Sequence, residues 1–190
     1  MESPAGITRE KALELLHQHV KNESMIRHCL ASEAVLAALA RRLGENENLW
    51  GVAGLLHDLD VEITNGDLSV HGLKSVEILG QSGVSPEIID AIRMHNEQAH
   101  GEVRSKRFHH ALAAGESITG LVTATTLVYP DKKLHSVKPS SIVKRMKEKS
   151  FAASVNRDII RECEKIGIPL NEFAVLAVEA MQAIAPTLGL

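Results

Sequence analysis

The chain has 190 residues, enough for one well-cored domain, and its 44% hydrophobic and 24% charged content is ordinary for a globular protein. A net charge of −3 sets up no strong field for nucleic acid or an anionic membrane, and 3% aromatics leave little to stack on single strands. The core must therefore be built from Leu, Ile, Val, Ala and Met, a composition that favours helix.

Taken in order, the first element is "TREKALELLHQHV", a helix with Thr8 as its N-cap. The opening "MESPAGITRE" has no basic start followed by an apolar run, so no signal peptide is expected and the cytoplasm is the default location. "NESMIRHCLASEAVLAALARRLG" starts at Asn22 and stops at Gly44. A third helix is expected over 46–59, a turn at "NGD" (65–67), and a fourth helix over 71–81 that ends near Gly83. Ser85 followed by Pro86 opens a fifth, reaching about Glu97. A long helix over 106–129 stops at Pro130. Its stretch 111–130 holds one charge, and its serine, glycines and threonines mark it as a buried core helix, not a membrane span. Shorter helices follow over 138–149, 156–167 and 171–185.

The expectation is an all-α chain, a compact single domain over 1–190 with eight or nine helices, its core at about 22–129 and a C-terminal helical extension over 138–190. No internal repeat and no linker divides it. Cys29 and Cys163 fit no zinc spacing and read as free thiols of a reducing compartment.

The histidines sort by helix face. His28 shares a face with Met25, Ala31, Ser32 and Val35. His57 shares one with Trp50, Ala53 and Gly54, and His95 with Ile88, Ala91 and Ile92. Any one alone reads as a core histidine bonded to a carbonyl. Three on three helices, one beside Asp58, point to a metal site. Glu116 is the strongest single clue: it is the one charge in 111–130, and its helix neighbours Leu112, Ala113, Thr119 and Gly120 offer no basic partner. A bare buried carboxylate costs several kcal/mol unless it is paired, protonated or bound to a cation. Adjacent helix positions diverge by ~100°. His57 and Asp58 can thus share an ion only beside the helix, between their two directions.

His28, then His57-Asp58, then the acid of "ALAAGESITGL" resembles the HD superfamily of metal-dependent phosphohydrolases over 23–128. "LLHDLDVE" followed by "HG" and "HN" is similar to a small HDIG-type subgroup of bacterial proteins. The resemblance implies a helical bundle of the HD-domain type. It implies a first metal held by His28, His57, Asp58 and Glu116, with Asp58 able to bridge to a second ion on His71 and His95. One or two divalent metal ions are implied, with Mn, Fe, Ni, Co, Zn and Mg all open. The implied chemistry is hydrolysis of a nucleotide or other small phosphoester by metal-activated water, with His57 and Asp58 as the catalytic pair. Two departures stand out: glutamate at 116 where aspartate is usual, and Leu59-Asp60 where the subgroup has Ile-Gly.

Around these residues several readings stay open. Asp60 and Glu62 either orient the histidines or cap and solvate the helix end. Lys74, Arg93, Arg104, Lys106 and Arg107 are candidates to meet phosphate charge, although helix surfaces normally carry such charges. His109, seven residues before Glu116 on the same face, is a further candidate that could reach the pocket. His100 and His110 carry no such argument, and His17, His19 and His135 sit among polar residues. The basic segment 132–149 either attracts a phosphorylated ligand or is a solvated face. The expected partner is a small phosphorylated, nucleotide-like substrate, with no nucleic acid and no membrane; a homodimer stays open. The competing functions are a degenerate HD module that binds metal or nucleotide as a sensor or scaffold without turnover, and a helical protein with a structural metal.

Overall fold

The computed structural model describes residues 3–190. They form ten α-helices with three short 3₁₀ turns and, among the described residues, no strand. The helices are α1 (Arg9–His19), α2 (Glu23–Leu43), α3 (Glu47–Leu56), α4 (Leu73–Gln81), α5 (Pro86–His95), α6 (Arg107–Leu127), α7 (Pro139–Arg145), α8 (Arg157–Ile160), α9 (Leu170–Gln182) and α10 (Ala185–Leu188). The chain is all-α, as composition and the resemblance imply. The count passes eight or nine because α10, a single turn, follows the last expected helix.

Capping residues set most starts where the sequence puts them. Thr8, Asn22, Asn46 and Ser85 each accept hydrogen bonds from the first-turn backbone of α1, α2, α3 and α5. Gly44 ends α2 in the left-handed region that glycine adopts without a steric penalty.

Other boundaries differ. Helix α3 stops at Leu56, three residues short of the expected 59, because the chain tightens into successive turns from His57 onward. Helix α4 begins at Leu73, not 71, since Gly72 has a φ of 93° and breaks the helix before it. The expected 156–167 helix divides into α8 and a 3₁₀ segment, Arg161–Ile166. The expected 171–185 helix runs from Leu170 to Gln182 behind Pro169, so Asn171 is inside it and caps nothing.

Helix α2 is the hub and packs on α3, α6 and α9. Its Val35, Leu36 and Leu39 are fully buried, as are Leu55 and Leu56 of α3 and Ile118 and Leu121 of α6. The C-terminal elements cover the same core: α9 lies on α2 and α7, and segment 161–166 lies on α6. Cys29 and Cys163 are buried free thiols. Among the described residues, no helix is long and apolar enough to cross a membrane.

One glycine fixes how α2 meets α3. A Cβ on Gly54 would sit 2.6 Å from the Ser32 carbonyl oxygen and 2.9 Å from the Glu33 nitrogen. That contact is backbone, which cannot swing aside. Only glycine lets the two helices touch there. The contact lies one turn from His28 on α2 and three residues before His57.

Candidate metal centre

Four histidine rings converge on Asp58. His28 comes from α2, His57 from the C-terminal cap of α3, His71 from the turn before α4, and His95 from the last position of α5. His28 Nε2 lies 3.6 Å from Asp58 Oδ2. The Nε2 atoms of His57, His71 and His95 lie 3.4, 3.1 and 3.8 Å from Asp58 Oδ1. The side chains form two groups of three able to hold a metal ion, His28–His57–Asp58 and Asp58–His71–His95, with Asp58 common to both.

The far side of each ring fixes which nitrogen faces inward. His57 Nδ1 donates to the Gly54 carbonyl at 2.8 Å, and His95 Nδ1 donates to the Ile92 carbonyl. A carbonyl only accepts, so in a neutral ring the hydrogen is on Nδ1 and the lone pair on Nε2. His28 Nδ1 lies 3.0 Å from the Thr119 hydroxyl oxygen, whose own hydrogen goes to the Glu116 carbonyl at 2.6 Å. Thr119 therefore accepts from His28, and His28 also turns its Nε2 lone pair inward. His71 Nδ1 stands 2.8 Å from Asp60 Oδ1, off the line of a well-aligned hydrogen bond. Metal-ligating histidines are held by this kind of outward contact.

The inward atoms crowd. The Nε2 atoms of His28 and His57 are 3.2 Å apart, and those of His71 and His95 are 3.1 Å apart. Two imidazole lone pairs at that distance repel wherever both rings are neutral, and in the second pair a proton on His71 relieves that repulsion. A cation between them turns the repulsion into attraction, so the donor set fits a divalent metal.

Burial pushes His28 down to about 4, helped by His57 and opposed by Asp58. Burial, with His57 and His71, pushes His95 down to about 3. Burial would raise the Asp58 carboxyl, but His57, the His71 hydrogen bond and His28 outweigh it and hold Asp58 well below the usual carboxylate range. Burial would lower His71, but Asp58 and Asp60 push it up to about 10. A carboxylate between rings, one of them protonated, is how these side chains balance their own charge.

Asp60 is fully buried and has two tasks. Its Oδ1 faces His71, while its Oδ2 accepts from the backbone nitrogens of Gly72, Lys74 and Ser75 at 2.8–3.1 Å. It caps α4 from twelve or more residues away and fixes the ring of His71 by the same stroke. Glu62 does not orient a histidine: it accepts from the backbone nitrogens of Lys21 and Asn22 and ties the turn to the start of α2.

Glu116 comes to the edge of the cluster and not into it. Its Oε2 is 3.9 Å from His28 Nε2, and its Oε1 accepts from the Ser117 hydroxyl at 2.6 Å. Burial pushes it up to about 7. It belongs to neither group of three.

The expectation for His109 is overturned. It bonds Asp90 at 2.8 Å, since seven residues carry it about 10.5 Å down the helix axis from Glu116. The phosphate candidates are all paired: Lys74 with Glu77, Arg93 with Glu102, Arg104 with Glu162, Lys106 with Asp90 and Arg107 with Glu45.

The cluster opens into a cleft of about 410 Å³, bordered by His28, Asp58, His71, His95 and Glu116 and walled by Ser154, Val155 and Asn156 from the C-terminal part. Sequence reasoning missed Thr119 and Asn96. Thr119 is a polar residue buried on an apolar face, which was the available signal. Asn96 donates to the Leu68 and His71 carbonyls and so pins the turn that carries His71. Nothing in the pattern of 154–156 points to the cleft.

The family model described as HD domain matches residues 25–129, more than half of the chain. No curated protein and no solved structure matches the chain.

Proposed function

We propose a function from one premise: the chain belongs to the HD domain family. It acts as a metal-dependent phosphohydrolase on a nucleotide or other small phosphoester. The observation that carries this reading is the set of four Nε2 atoms facing Asp58 beneath an open cleft.

His28, His57 and Asp58 hold the first ion, and Asp58, His71 and His95 hold a second. Glu116 completes the first group from the cleft edge. A divalent ion in such a site lowers the pKa of bound water and polarises a phosphoryl oxygen. The chain's own residues supply orientation and charge. The Gly54 and Ile92 carbonyls, Thr119 and Asp60 keep the rings in one tautomer and one direction. Asp58 supplies a lasting negative charge. Two buried free thiols suit a reducing cytoplasm.

One observation favours a second reading. No lysine or arginine is among the described residues lining the cleft, and Glu116 is set back from the cluster. An HD module that binds metal or nucleotide as a sensor needs neither.

Purification without chelator, metal analysis, and assay of nucleotides and phosphoesters with manganese, iron, cobalt or magnesium separate the readings. Turnover that disappears in Asp58→Ala and persists in His17→Ala supports the hydrolase. Tight metal with no turnover on any ester supports the sensor. No bound metal under any condition overturns both.

A further inference from the structure

We infer that the groove between α2 and α6, next to the metal cleft, receives the part of the substrate beyond the scissile phosphate, and that Arg27 binds a second anionic group there. The inference rests on the phosphohydrolase reading and narrows its substrate to esters of an apolar, ring-sized alcohol that also carries a carboxylate or a further phosphate.

Two spaces lead away from the metal cleft. One, of about 580 Å³, shares His95 and Asn96 with it and is bordered by four carboxylates: Glu97, Asp158, Glu162 and Glu164. Its three cations are already committed, Arg104 to Glu97 and Glu162, Arg161 to Glu164, and Lys165 to Glu162. Acids outnumber cations, so this side repels an anionic ligand. The other space, of about 390 Å³, shares His28 and Gly120 with the metal cleft. Helix α2 presents Ser24, Arg27 and Ala31 to it, and α6 presents Gly120, Ala124 and Leu127. Each trio recurs at three- or four-residue spacing, so each lies along one helix face. Ser24, Ala31, Gly120 and Ala124 are small, and the space they border has a volume within the range of small-molecule sites, about 300–1,000 Å³.

Arg27 is the one charged side chain of that lining apart from any charge on His28. It is also the one arginine among the described residues with no partner. Arg9, Arg41, Arg42, Arg93, Arg104, Arg107, Arg145 and Arg161 hold carboxylates, and Arg157 holds backbone carbonyls. The guanidinium rests against Gly189, where a Cβ would come within 3.3 Å of Nη1. An unpaired guanidinium at the rim of an apolar slot recognises a planar anion by a two-pronged hydrogen bond. The slot and the metal cleft share His28 and Gly120 in their walls, so one molecule can extend from a phosphate at the cluster into the slot that Arg27 borders.

The test compares phenyl phosphate with 4-carboxyphenyl phosphate as substrates, and the matching phosphonates as non-hydrolysable ligands by calorimetry, on protein purified with its own metal. The wild type is expected to favour the carboxylated member of each pair. Arg27→Ala is expected to lose that preference, raising KM for 4-carboxyphenyl phosphate relative to phenyl phosphate by about tenfold or more, the scale of one hydrogen bond to a charged group. Arg27→Lys keeps the charge without the fork and should recover part of it. Ala124→Phe, at a half-buried position, should weaken both aryl ligands and spare inorganic phosphate. The inference is overturned if the wild type shows no preference, or if Arg27→Ala keeps it. Arg27-dependent binding of the phosphonates without turnover of either ester leaves the subsite standing and removes the hydrolase reading. Turnover that ignores Arg27 does the reverse.

Discussion

The two halves of the centre share Asp58 but are held in different ways. The His28–His57 half is fixed by helices in contact: Gly54 lets α3 sit on the α2 backbone, and each ring is pinned by an oxygen of the core, the Gly54 carbonyl or the Thr119 hydroxyl. The His71 side of the other half depends on a turn and on one carboxylate, Asp60. Their electrostatics differ as well. His28 is pushed down to about 4, chiefly by burial, and its Nε2 faces that of His57 across 3.2 Å. His71 is pushed up to about 10 and can place its own proton among His95 and Asp58. The second half carries a proton of its own, which a metal bound there would have to displace.

Asp58→Ala breaks the comparison by removing the group common to both halves. On the proposed two-metal hydrolase reading, both equivalents of metal should be lost and turnover should fall by about 10²–10³-fold or more, the scale of deleting one charge-stabilising group. Metal analysis and steady-state rates read this directly. Gly54→Ala strikes the helix-held half. Its Cβ meets backbone, so unfolding free energy should drop by about 1–3 kcal/mol, measured in denaturant, with the His28–His57 metal the first to weaken. An unchanged midpoint would show that α3 can slide on α2.

Asp60→Asn acts on the other half alone. Affinity for the second equivalent of metal should fall by about 10–100-fold, the usual effect of losing an orienting partner, while the first equivalent stays. Equal losses in both would erase the distinction between the halves. The smallest effect is a pH dependence in chelator-treated protein. His71 stands above its ordinary 6.5, so the stability it contributes is complete below that value and is lost as pH climbs toward 10. Below pH 6.5 the depressed His28 and His95 act in the opposite sense, and Glu116, pushed up to about 7, loses its share in the same direction as His71 and has lost nearly all of it by about pH 8. From pH 7 to 9 the melting temperature should therefore fall, and Asp60→Asn should flatten the slope. A melting temperature that rises with pH in that window contradicts the assignment.

Much of the centre was legible because helix periodicity is a local rule. His28, His57 and His95 stand where their apolar neighbours point, and the caps at Thr8, Asn22 and Ser85 begin helices as their chemistry demands. The failures share one cause. His71 looked helical by pattern, yet Gly72 breaks the helix and a distant carboxylate caps it. His109 was on the right face but two turns too far along. Glu116 was expected among the first metal's ligands, whereas it stands 3.9 Å from His28 and accepts a hydrogen bond from Ser117 that no spacing announces.

The sequence by itself determined the helical class and the inward faces of His28, His57 and His95, because each follows from neighbours within one or two turns, and its ordered motifs pointed to the family. The tertiary structure alone decided that Asp58 lies at the centre of four rings, that Asp60 both orients His71 and starts α4, that 154–156 wall the cleft, and that Arg27 is left without a partner. Those facts depend on distances between segments far apart in the chain, which are fixed only when the helices pack and their buried polar groups find partners.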